Sequence, residues 1–276
     1  MRIKSLQTVV ALLVLIGIAS PISHAQDQAS AKPLSFCYQD IELYPNYTGA
    51  SEAVPEKDPG ILVELVQLVA ADAGLDVTFA RYPWKRCLAL MKLGRIDSVI
   101  ASFRPERQES MVYPMLDGKP DNRRMIVLNG YYLYQKRGKP PYWDGRQILE
   151  PNIVIGAPLG YSITAALKDQ GLNIVEAGTT EGLMHMLAYD RLQAVAAPGA
   201  AADTLLRQNA SDYGGIIKVS DPLKVNHYFI AFSHQFFDKN PSAADQLWQA
   251  SPMVHATHFE RLQTKYALPT GAAANP

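Results

Sequence analysis

Histidine and cysteine are scarce in this chain, six and two among 276 residues. No grouping of His, Cys, Asp and Glu has the close spacing of a metal site. His255 and His258, three apart, come nearest, and they read more simply as solvated or capping side chains. There is no Gly-rich nucleotide loop and no nucleophile beside a base. Basic runs are absent, and 26 Lys and Arg balance 26 Asp and Glu. A nucleic-acid partner would need a basic patch, so none is expected. Beyond residue 25 no stretch reaches the roughly 18 apolar residues of a membrane span.

What is present begins with a leader. Residues 1–25 open on Arg2 and Lys4, continue as an apolar run from Val9 to Ala19, and end in Ser23-His24-Ala25. This is the pattern of a signal peptide cleaved after Ala25. Removing it takes away two bases and no acid, leaving 24 bases against 26 acids, a net of −2. No Cys lies near the cleavage point, so a lipid anchor is not expected. The remainder, in a chain 48% hydrophobic and 19% charged, is long enough for one or two globular domains.

An exported chain with two cysteines, Cys37 and Cys87, suggests a bridge in an oxidising compartment. Two buried free thiols fit the spacing as well. Neither Cys has a His near it in sequence, which argues against a catalytic thiol.

The most informative stretch runs from Tyr82 to Pro114. Trp84, Cys87, Leu88 and Met91 share one face of a helix, with Pro83 at its start and Gly94 as its stop. Ile96 to Ala101 reads as a strand buried on both faces. A polar loop follows, carrying Arg104, Glu106 and Arg107. In open α/β sheets ligands bind beyond the carboxyl ends of strands, so Ser102 to Arg107 is the expected centre of function.

Gly94, Asp97, Glu106, Arg107 and Tyr113–Pro114 also carry a likeness. The segment resembles the end of the first lobe of bacterial extracellular solute-binding proteins of family 3, the periplasmic receptors for polar amino acids. More weakly, the likeness spans Leu34 to Tyr266. It implies an α/β, two-lobed periplasmic-binding-protein-like fold. Each lobe would be a mostly parallel sheet flanked by helices, with two strands crossing as a hinge. Residues 26–122 and 227–276 would form the first lobe and 123–226 the second. The resemblance implies amino acid transport with an inner-membrane ABC permease, or signalling through a sensor, by a monomer with no cofactor. It gives Arg107 the role of gripping the ligand's carboxylate.

Further residues join that site. Ser102 would add a hydrogen bond. Gly160-Tyr161-Ser162 forms a turn between a strand at 152–157 and a helix to Gln170, a place for an anion at a helix N-terminus. Ser162 is also a plausible N-cap. The resemblance puts a ligand-covering aromatic after the first strand, at Tyr44 or Tyr47. Trp84 is read as core or as platform, and Arg86 as cleft-lining or solvated. Tyr131, Tyr132 and Tyr134 either reach the cleft or pack on the sheet. Elsewhere the pattern predicts helices over 59–73, 179–189 and 198–208, strands over 216–219 and 226–233, and two closing helices over 236–266 broken at Pro241 and Pro252. The second half mirrors the first: Arg-x-Asp-Ser-Val at 95–99 is matched by Arg-Leu-Gln-Ala-Val at 191–195.

One departure matters. Where the resemblance implies an Asp that pairs with the ligand's ammonium, this chain has Pro198. A buried, unpaired charge costs several kcal/mol. Either another acid substitutes, Glu42 or Asp203, or the ligand is a carboxylate without an amine. The alternative reading is an enzyme on the same scaffold, dehydratase-like or a lytic-enzyme lobe, with Glu106 as general acid.

Overall fold

A computed structural model describes residues 32–267, and the leader over 1–25 and the end of the tail lie outside them. The first half alternates strand and helix. β1 (Leu34–Tyr38), β2 (Val77–Arg81) and β3 (Ser98–Ser102) are linked by α1 (Ile61–Asp72) and α2 (Trp84–Lys92). β1 pairs in parallel with β2 along its whole length and with β3 at Phe36–Ser98. Helical crossovers of this kind produce parallel strands, and all five residues of β3 are buried, as expected of a strand covered on both faces. α1 buries seven of its 12 residues. Gly94 ends the turn after α2 at φ +63°, and a side chain there would run into Gln235 at 2.5 Å.

A hairpin of β4 (Met115–Leu116) and β5 (Lys119–Pro120) precedes the long β6 (Val127–Lys136). The second half repeats the alternation: β7 (Val154–Pro158), α3 (Ser162–Asp169), β8 (Asn173–Ala177), α4 (Thr180–Ala188), β9 (Ala194–Pro198), α5 (Gly199–Gln208) and the short α6 (Ala210–Tyr213). β10 (Ile216–Phe232) returns, followed by α7 (His234–Lys239) and α8 (Pro241–Lys265).

The strand order is β2-β1-β3-β10-β6-β9-β7-β8. Two parallel groups of three flank a central antiparallel pair, β10 and β6, which are the two strands that cross between the halves. The mirrored sequence segments do the same work in each half. Asp97 Oδ2 accepts from the Ser35 N–H at 2.9 Å, and Gln193 Oε1 accepts from the Val154 N–H at 2.8 Å. Each side chain ties the turn before one strand to the beginning of its neighbour. Asp97, three residues after Gly94, is thereby a structural clamp.

Three expectations change. The strands foreseen at 216–219 and 226–233 are one strand, bent where its register with β6 slips around Pro222. A proline is admitted there because a bulge needs no ladder N–H. Pro252 does not break the last helix but lies inside α8. Buried Leu247, Trp248, Ser251 and Val254 run past it on one face, and their burial outweighs the roughly 3 kcal/mol that an internal proline costs. Ser162 is not the N-cap of α3; Tyr161 holds that position, and its side chain makes no capping bond.

Cys37 and Cys87 form a disulfide with Cα atoms 5.8 Å apart, which decides between the two readings of the pair. It fastens β1 to α2 in a core shared with Met91, Val99 and Phe229.

Candidate ligand-binding site

The carboxyl ends of β1 and β3 and the start of α3 open onto one cavity of about 440 Å³. Trp84, Ser102, Arg107, Tyr161 and Ser162, all expected at the site, line it. Arg107 is held from behind: its Nη1 donates to the Ser102 carbonyl at 2.9 Å and to Ser102 Oγ at 3.4 Å. The Trp84 ring lies under the guanidinium, 5.9 Å away. Neither neighbouring acid takes Arg107. Glu106 pairs with Arg104 at 3.2 Å, and Glu109 lies 4.0 Å from Lys92. The fork therefore has N–H donors left for an anion.

Tyr161 and Ser162 come from the other half of the chain. The Tyr161 hydroxyl donates to Gln39 Oε1, a contact reaching from the start of α3 to the end of β1. Ser162 Oγ accepts from Asn226 Nδ2 at 3.2 Å. Gly160 adopts φ +76°, and its α-carbon approaches α2 closely enough that a methyl group would touch Lys85 at 3.5 Å and Trp84 at 3.6 Å. It sits beside the cavity without lining it, and its N–H donates to Glu176 Oε2 at 3.3 Å. The Lys168 ammonium above all, and then that backbone bond, hold the Glu176 carboxyl below its usual range.

Two expected residues stand apart from the cavity. Tyr44 turns away and donates to the Tyr266 carbonyl at 2.7 Å, while Tyr47 is the aromatic that lines the cavity. The tight Leu43–Tyr47 bridge sends the two side chains in different directions. Arg86 lies over the Tyr82 ring at 4.1 Å and 3.8 Å from Glu52. Two residues along a helix do not share a face, so Trp84 in the cavity excludes Arg86 from it.

The sequence reading missed Tyr38, Gln39, Arg207 and Tyr228 and left Tyr131 undecided, yet all five line the cavity. The rule that pointed to Ser102, at the carboxyl end of a strand, applies equally to Tyr38 and Gln39 at the end of β1. Tyr131 and Tyr228 face each other across the central strands with hydroxyls 2.7 Å apart. Burial raises the pKa of both, with the Arg107 charge opposing the rise. Burial likewise raises Tyr38, Tyr47 and Tyr161. These phenols stay protonated and act through hydrogen bonds.

Pro198 lies at the cavity wall, at the end of β9, and Asp203 one turn into α5. Asp203 is already paired: Oδ1 accepts from the Tyr134 hydroxyl at 2.7 Å and Oδ2 from Lys218 Nζ at 2.7 Å. Glu42 lies outside the cavity lining and accepts from the Gly49 N–H at 3.1 Å. Glu106 is exposed, and its own backbone N–H, then Arg104, lowers its carboxyl pKa. A general acid at neutral pH needs the opposite shift. His255 stacks on Phe259 at 4.4 Å, and among the described residues no cluster of three metal-ligating side chains occurs.

No protein-family model matches the sequence, and no curated protein matches it. Solved structures do. A histidine kinase sensor domain with similarity to periplasmic binding proteins aligns with TM-score 0.69 and 15% identity, over 86% of this chain and 96% of that one. The fold is that of the periplasmic binding proteins. An arginine-, lysine-, histidine-binding protein from Geobacillus stearothermophilus aligns with TM-score 0.66 and 18% identity, over 85% of this chain and 95% of that one. A ligand-binding core from Nostoc punctiforme, solved in complex with L-glutamate, gives 0.65 and 15%, over 85% and 99%. The periplasmic-binding-protein fold thus extends over nearly the whole length of each neighbour. Among the described residues no helix is long and apolar enough to cross a membrane.

Proposed function

We propose that this chain is an exported solute-binding protein that closes on a small carboxylate-bearing molecule and presents it to a permease or a membrane sensor. The described residues of 26–122 and 227–276 form one lobe and 123–226 the other. β6 and β10 are the hinge, whose bending opens and closes the cleft. The observation that carries the reading is the Arg107 guanidinium, paired with no acid among the described residues, in one cavity with Tyr161 and Ser162 at the start of α3. A guanidinium fork matches a carboxylate in shape and charge. The exported form begins at Gln26 in the periplasm and is a monomer; N-terminal sequencing of a periplasmic fraction that yields Met1 would overturn that assignment.

The test is a ligand screen by thermal shift over amino acids, dicarboxylates, aromatic acids and small peptides. Each hit is repeated with Arg107→Ala. Loss of two charge-assisted hydrogen bonds, about 3–6 kcal/mol together, weakens binding by about a hundredfold or more. An unchanged affinity refutes the role of Arg107. Recovery of the hit unaltered after long incubation is expected, and turnover would favour the enzyme reading.

A further inference from the structure

We propose that the guest of this cleft is an amine-free carboxylate with a ring-sized apolar body and at least one further oxygen acceptor, a hydroxy- or oxo-substituted arylalkyl carboxylate. The inference rests on the receptor reading above and narrows its ligand.

A count of donors and acceptors leads to it. Gln39 is buried at 4% exposure, with Oε1 engaged by Tyr161 and Nε2 without a partner among the described residues. Tyr38, at 1% exposure, likewise has a hydroxyl with no partner. A buried amide N–H or hydroxyl left unpaired is costly, so native structures rarely carry one without a reason. Both residues line the cavity. An amide Nε2 only donates, and a phenol held protonated by burial donates readily. Each of the two atoms exposes less than 1 Å², so an acceptor on the guest satisfies them after a small turn of the side chains into the cavity that both residues line.

The same lining disfavours a cationic guest. Its charged side chains are Arg107, Arg207 and Asp203, and the acid is engaged at both oxygens by Tyr134 and Lys218. Where an ammonium would be read at the end of β9, Pro198 offers no carboxylate. A primary ammonium would enter a net positive cavity without a counter-charge. Aromatic walls do attract quaternary ammonium groups through their faces. Such a group carries no acceptor and would leave Gln39 and Tyr38 unpaired.

The body follows from the walls. Trp84, Tyr38, Tyr47, Tyr131, Tyr161 and Tyr228 surround the space, and flat rings pack in offset or edge-on fashion against another ring. A volume of about 440 Å³ falls in the lower part of the range for small-molecule pockets.

The test is calorimetric titration of the purified protein with 4-hydroxyphenylacetate, phenylacetate, L-tyrosine, 3-(4-hydroxyphenyl)propanoate and glycine betaine. 4-Hydroxyphenylacetate is expected to bind most tightly. Phenylacetate, lacking the ring oxygen, is weaker by about tenfold, and L-tyrosine, which adds an ammonium-bearing carbon, by about a hundredfold, whereas 3-(4-hydroxyphenyl)propanoate, which adds the carbon without the ammonium, is weaker by less than tenfold. Tyr38→Phe removes one hydroxyl and is expected to narrow the gap between the first two ligands. Gln39→Glu keeps the Tyr161 contact and supplies a carboxylate, so it should improve L-tyrosine binding at the expense of 4-hydroxyphenylacetate. If L-tyrosine matches 4-hydroxyphenylacetate and both depend on Arg107, the receptor reading stands and this inference falls. Preferred binding of glycine betaine overturns it in favour of an aromatic cage for quaternary ammonium. If no carboxylate binds, or binding survives Arg107→Ala, the receptor reading falls and this inference with it.

Discussion

Replacing the Cys37–Cys87 disulfide by two alanines perturbs a single covalent link whose effect can be worked through. The bridge joins positions 50 residues apart. In the chain-entropy account, freeing a loop of that size gives the unfolded state about 4 kcal/mol at 25 °C. Both residues are buried, at 1% and 0% exposure, among apolar neighbours, so alanine leaves no unpaired polar group. For a domain of this size each kcal/mol corresponds to about 2–4 °C in Tm, which gives a fall of about 8–16 °C. The assay is calorimetric melting of wild type and Cys37→Ala/Cys87→Ala, each with and without excess reductant. Reductant should lower the wild-type Tm to near that of the variant and leave the variant unchanged. The consequence extends to the site, because the bridge ties the strand that carries Tyr38 to the helix that carries Trp84. Ligand affinity should therefore weaken less than tenfold, since both elements keep their other contacts. A Tm difference below about 3 °C, or a reductant effect on the double variant, would refute the reasoning.

Two other outcomes follow from groups around the cleft. The Arg81 guanidinium, 1% exposed, donates to the carbonyls of Gln39, Gly49 and Ala53 at 3.2, 2.6 and 3.1 Å. Arg81→Met orphans these carbonyls and should cost about 2–4 kcal/mol by urea unfolding, with faster proteolysis over 40–58; a loss under about 1 kcal/mol contradicts the clamp. Glu176 has its folded pKa lowered, first by Lys168 and then by the Gly160 N–H against the opposing effect of burial. Its contribution is complete above about pH 4.3, the unfolded value, and is lost as pH falls through the lower folded value. Glu176→Gln should thus be less stable than wild type by about 0.5–1 kcal/mol at pH 7, a difference that closes in acid; a constant gap from about pH 3 to 7 would exclude this linkage.

Much of the architecture was legible because each half is built from local signals. Periodic apolar faces, a stop such as Gly94, and the short β-rich run of β3 each act over a few residues. The repeated 95–99 and 191–195 segments correctly suggested two halves of like build, and the Asp97 and Gln193 clamps supply the physical reason. Less was legible where a distant partner decides the outcome. Pro252 reads as a break, but a buried stripe carries α8 through it. The residues 216–233 read as two strands, but pairing with β6 makes them one. Tyr44 and Tyr47 look equivalent in sequence, and only the Leu43–Tyr47 bridge and the Tyr266 carbonyl separate them.

The sequence by itself determined the alternation of strands and helices and the like build of the two halves, because period and composition are local properties. Tertiary structure alone decided that Cys37 meets Cys87, that Asp203 is neutralised by Lys218, and that Gln39 and Tyr38, each with a buried polar atom that has no partner among the described residues, line the same cavity as Arg107. Those facts depend on which side chains the fold brings within a few ångströms of one another, and no spacing along the chain encodes that distance.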